Sequence, residues 1–98
     1  MSGETIDIQH ERQGEKGRYW ALAGNGEAEL TYRMRGDVMV IDHTFTPPEA
    51  RGKNIARQLV ERAVEEARET GLKIDPVCPY VAKLFQRRPE WAPLKAPT

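Results

Sequence analysis

The stretch TPPEARGKNIARQL, residues 46–59, decides how the rest of the chain is read. Pro47 and Pro48 close off the preceding element, because proline lacks the N–H that a continuing ladder needs. Beyond them Ile55, Ala56, Leu59, Val60, Ala63, Val64 and Ala67 recur at three- and four-residue steps, a single apolar helical stripe. Arg57, Glu61, Arg62, Glu65, Glu66, Arg68 and Glu69 fill the wet side, and Gly71 is placed to cap the helix end. Between prolines and helix lie Arg51, Gly52, Lys53 and Asn54, a short turn with two cations. Free N–H groups at a helix start already carry partial positive charge. Cations there imply that an anion is expected.

Upstream, VMVIDHTF at 38–45 is apolar and β-branched enough for a central strand. EAELTYRM before it alternates cleanly, with Ala28, Leu30, Tyr32 and Met34 on one face and Glu29, Thr31 and Arg33 on the other. RYWAL at 18–22 reads as a further strand, AGNG and RGD as turns, and Ile6 and Ile8 as a short first strand. Downstream, LKIDPVC at 72–78 is a strand that a helical crossover should bring parallel to the central one. PYVAKLFQR follows as a closing helix with Pro79 at its first position. The expected order is β-β-β-β-α-β-α, a mixed α+β sheet with packed helices. Residues 5–94 form one domain, with 1–4 and 95–98 as flexible tails.

The 98 residues suit a single modest core. Fifteen basic and fifteen acidic side chains cancel, so no global basic field invites nucleic acid or an anionic membrane surface. One cysteine rules out an internal disulfide, and two scattered histidines lack metal-ligand spacing. No apolar run approaches the ~20 residues of a membrane span, and no signal-like segment opens the chain. A cytoplasmic setting is the expectation. The phosphate-binding patterns GxxxxGK[ST] and GxGxxG are both missing.

TPPEARGKNIARQL resembles the pyrophosphate signature of the GNAT superfamily of acetyl-CoA-dependent N-acetyltransferases, Arg/Gln-x-x-Gly-x-Gly/Ala between a strand and a helix. Arg51 matches its first position and Ala56 its last, while Asn54 stands where glycine is usual. Asparagine tolerates left-handed backbone better than most residues, so the substitution is compatible with the wrap. The run continuing through PVCPYV and RRPEW is similar to the very short, single-domain branch of these proteins, where a strand ends in His-Thr and a Cys-Pro-Tyr element follows the next strand. The resemblance implies a GNAT-like fold lacking the two early helices of larger relatives, with the sheet splayed at the cofactor.

It also implies acetyl-CoA as cosubstrate, an amine acceptor with proteins and peptides among the candidates, and an open acceptor face. Phe45, Thr46, Arg51, Gly52, Lys53, Asn54, Ile55 and Ala56 are placed at the cofactor, joined by Tyr80, Phe85 and Arg88 from the closing helix. Taken by themselves, Phe85 and Trp91 read as core rather than as aromatic platforms, and the Arg87–Arg88 doublet as a solvated helix end that complements the dipole. Pro47, Pro48 and Pro76 remove ladder donors where the central strand and its parallel neighbour would separate. An amide-bearing arm fits such a gap as a guest strand does.

Cys78, just before Pro79, sits where a helix N-terminus favours a thiolate. The resemblance makes it the leading catalytic candidate, either accepting the acetyl group or assisting proton transfer. His43 is the candidate base, histidine being the usual proton carrier near neutral pH, and a plain sheet histidine is its alternative. Gln86 occupies the position of the tyrosine that serves as general acid in larger relatives. The competing reading is a non-catalytic CoA-binding module. Monomer and weak dimer are both open.

Overall fold

The computed structural model describes residues 6–97. The expected order holds: β1 (Gln9–Gln13), β2 (Lys16–Ala23), β3 (Gly26–Arg35), β4 (Val38–Phe45), α1 (Ile55–Thr70), β5 (Lys73–Pro76) and α2 (Pro79–Arg87). Short 3-10 segments lie at Pro48–Ala50 and Pro89–Leu94. The five strands run β1-β2-β3-β4-β5 across one mixed sheet, antiparallel through β4 and parallel between β4 and β5.

One face of the sheet carries the core. Tyr19, Ala21 and Ala23 of β2, and Ala28, Leu30, Tyr32 and Met34 of β3, point inward. They meet Ile55, Leu59, Val60, Ala63, Val64 and Ala67, six of the seven stripe positions read from the sequence, while Ala56 is half-buried. Gly71, at φ 76°, caps that helix by donating its N–H to Ala67 and Arg68 carbonyls. Val81, Phe85 and Trp91 join the same cluster, so α2 and the last 3-10 segment pack on the α1 side. Phe85 and Trp91 ring centroids are 5.2 Å apart.

Three details differ from expectation. The first strand begins at Gln9, and Ile6 and Ile8 are a half-buried lead-in packed on the core. Every residue of β1 is exposed, so no alternation marks it; pairing with β2 creates it. His10, which has no distinguishing sequence context, stacks on Tyr19 at 4.1 Å and shares a 2.7 Å hydrogen bond with the Tyr32 hydroxyl. The Tyr19 hydroxyl donates to Glu66 on α1 at 2.7 Å, so this cluster ties the first three strands to the helix. Finally, the chain past Leu94 is not loose. Lys95 bridges Ile74 in parallel, the Ala96 N–H donates to the Ile74 carbonyl at 2.7 Å, and Ala96 is buried. The expected tail at 1–4 and Thr98 lie outside the described residues.

Candidate functional site

Pairing between β4 and β5 stops at Ile41↔Pro76, while β4 runs on to Phe45. Pro76 has no N–H with which to extend the ladder. The two strands therefore part at this end, and the Cys78 N–H makes the last tie, to the Ile41 carbonyl at 3.0 Å.

The turn after β4 is shaped by backbone conformation. Gly52 has φ 85°, and Asn54 has φ 63° and ψ 26°, the one positive-φ residue other than glycine among those described. Asn54 thus adopts the left-handed state that asparagine tolerates better than most residues. Among the described residues no side chain caps α1, and no acid lies in its first turn. The first intrahelical bond runs from Gln58 N–H to the Asn54 carbonyl, leaving the N–H groups before it for something else. A helix start in this state suits an anion. Arg51 bends back, its Nε donating to the Thr46 carbonyl at 3.2 Å.

A cleft of about 390 Å³ lies here, within the range of small-molecule sites. Of the residues expected at the cofactor, Phe45, Thr46, Arg51, Gly52, Asn54, Ile55, Ala56 and Tyr80 line it. Lys53 lies in the same turn without lining the cleft. Phe85 and Arg88 are not brought there. Phe85 is in the core, and Arg88 pairs with Glu61 at 2.6 Å while its guanidinium lies 4.7 Å over Trp91. Both are consumed by packing α2 against α1. Tyr80 keeps its phenol proton beyond the usual range, first because it is part-buried, with Glu61 and Cys78 adding to the shift and Arg57 opposing it.

Cys78 is the N-cap residue of α2 and is only 6% exposed. Its Sγ lies 3.6 Å from Thr44 Oγ1, and Thr44 lines the cleft. The sequence reading missed Thr44, and a bulge explains why. Strand β3 is paired Tyr32↔Ile41 and then Thr31↔His43, which leaves Asp42 as the extra residue on β4. Without that residue, His43 would follow Met39 and Ile41 onto the core side. With it, Thr44 pairs with buried Leu30 and faces inward to Cys78, while His43 is exposed beside Thr31 on the outer face. His43 and Cys78 are not brought together. Thr31 Oγ1 donates to Asp42 Oδ1 at 2.7 Å, holding the bulged residue outward.

The family comparison agrees with this geometry. Residues 18–94 match the family described as GCN5-related N-acetyl-transferase. Protein NATD1 from Mus musculus and from Gallus gallus are each 32% identical over 91 residues, covering 89% of this chain and 80% of theirs. Protein NATD1 from Xenopus tropicalis is 32% identical over 89 residues, covering 87% and 79%. The solution NMR structure of a GCN5-like protein from Staphylococcus aureus is similar at a TM-score of 0.70 and 26% identity, covering 100% of this chain and 93% of that one. With a glycine-and-asparagine turn at an uncapped helix start, a parted strand pair and this match over most of its length, the chain belongs to the GCN5-related N-acetyltransferase family.

Proposed function

We propose that this protein transfers an acetyl group from acetyl-CoA to an amine, with a peptide or protein amine as the acceptor class. The observation that carries the reading is one continuous path. The uncapped start of α1 opens on a cleft, the cleft is lined by Thr44, and Thr44 touches Cys78. When bound, acetyl-CoA supplies a thioester-activated acetyl group. The N–H groups of Ile55 and Ala56 and the charge of Arg51 hold its diphosphate, and Lys53 adds positive potential from the same turn. Backbone groups near Phe45 and Thr46, which β5 leaves unpaired, receive the amide-bearing arm.

In this reading Cys78 and Thr44 work as a pair. Their 3.6 Å contact orients the thiol, and either atom is able to donate to the other. Tyr80 provides the proton for the departing sulfur, part-burial keeping its phenol protonated, and is restored by the proton that the attacking amine gives up as the N–C bond forms and the C–S bond breaks. The experiment is thiol release from acetyl-CoA, screened against amines and peptides, with calorimetric binding of CoA alongside. Turnover lost in Cys78→Ala with CoA binding kept supports the pair. Binding without turnover on any amine points to the second reading, a non-catalytic CoA-binding module, which the burial of Cys78 favours.

A further inference from the structure

The described helical segments all pack on the inward face, so among the described residues the outer face of the sheet carries only its own side chains. Cross-strand register arranges them in rows. Leu22 and Glu27 share one row, and Trp20, Glu29 and Phe45 share the next. Arg18, Thr31 and His43 form the middle row, Lys16 and Arg33 the one after. Leu22 is 73% exposed and Phe45 43%, both large apolar groups left in solvent.

Charge along this face is lopsided. From the middle row Arg18 is the single cation answering three carboxylates, with a bond of 2.7 Å to Glu11 beside it and bonds of 3.2 Å to Glu27 and 3.0 Å to Glu29 toward one end. At the other end Lys16 and Arg33 stand directly opposite each other, and neither forms an ion pair among the described residues. Like charges facing across a ladder repel. The sign reverses about Thr31: Glu27 and Glu29 lie on one side of it along β3, and Arg33 and Arg35 on the other, where Arg35 also pairs with Asp75 at 3.4 Å. Shape follows the same division. A hollow of about 630 Å³ spans the middle row and the basic end, bounded by Glu11, Gln13, Lys16, Thr31, Arg33 and Asp42, while Trp20 and Leu22 stand at the acidic end.

We infer that this face docks a second copy of the chain. The two-fold axis would lie between the sheets, across the strands at Thr31. Such an axis sets β3 on its own copy with rows reversed, so that Glu29 meets Arg33 of the second copy and Glu27 meets Arg35. It also sets β2 on β2, carrying Trp20 and Leu22 over the hollow beside Lys16. Self-complementarity of both charge and relief is what an isologous sheet-on-sheet contact needs. The contact is rich in charge, so it is weak and sensitive to salt. The inference does not depend on acyl transfer.

Sedimentation equilibrium of the whole chain tests it. Wild type should dimerise reversibly below ~1 mM, and raising salt should weaken the dimer. Glu29→Lys alone and Arg33→Glu alone should each weaken self-association by at least about tenfold. An equal mixture of the two should associate again, because the two substituted charges then face each other while the unaltered Arg33 of one copy still meets the unaltered Glu29 of the other. Circular dichroism confirms that each variant is folded, and calorimetric CoA binding should be unchanged. A chain that stays monomeric up to that concentration, even if another protein binds the face, overturns the inference. So does a dimer indifferent to both substitutions, or a mixture that fails to re-associate.

Discussion

Asn54 is where a single residue's backbone matters most. Its φ of 63° is open to glycine and tolerable for asparagine. Asn54→Gly should therefore keep both stability and CoA affinity. Asn54→Val, β-branched and forced into the same state, should lose about 1–2 kcal/mol in thermal melts and weaken CoA binding in calorimetry. Tyr19 offers a second test. Burial and its bond to Glu66 push its ionisation far above the usual phenol range, so the hydroxyl is a permanent donor at physiological pH. Tyr19→Phe should cost about 1–2 kcal/mol, because Glu66 loses a short hydrogen bond in a part-buried setting. For Tyr80 the prediction concerns turnover. Tyr80→Phe should lower kcat by about a hundredfold or more with KM for acetyl-CoA little changed. Because part-burial raises its pKa above that of an ordinary phenol, any alkaline fall in rate from this group should come at a higher pH than a free phenol would give. Arg51, Gly52 and Asn54 were legible in the sequence because turn chemistry is local. Thr44 was not. Its inward position depends on a bulge defined by pairing with Thr31, which no pattern along β4 alone contains.

At the level of elements, legibility tracked burial. Helix α1 announces itself through six buried positions on one stripe, and Leu59, fully buried among them, is its most sensitive point. Leu59→Ala should cost about 2–5 kcal/mol in chemical unfolding. Strand β1 has no buried residue, so it was invisible until its partner was known. Gly17 is likewise explained only by its neighbour: a Cβ there would run into the Tyr32 ring, so Gly17→Ala should destabilise through the displaced tyrosine. The Pro48–Ala50 segment is tied to the β2–β3 turn by Glu49, whose carboxylate accepts the Asn25 N–H at 3.0 Å. Bonds from its own backbone N–H and from Asn25 hold Glu49 below its ordinary value of 4.5. The contact's contribution is thus complete above pH 4.5 and is lost as pH falls through the lower folded value. Melting between pH 6 and pH 3 should show a shallower acid decline for Glu49→Gln than for wild type.

For the whole molecule, the order of strands and helices followed from periodicity and turns, but the terminal contact did not. Nothing in WAPLKAPT signals pairing, because a single bridge needs no pattern; it needs only the edge that β5 presents. That edge would otherwise show a row of unsatisfied backbone groups beside the core. Lys95 and Ala96 occupy it at Ile74, and Lys73 Nζ secures the approach by donating to the Pro93 carbonyl at 2.7 Å. The opposite edge, β1, is guarded differently, by a strand of wholly exposed polar and charged residues. One border is thus protected by composition and the other by a plug. A chain cut after Leu94 would keep its cleft and lose the plug, and its failure should be seen as time-dependent light scattering from growing aggregates before any loss of CoA binding.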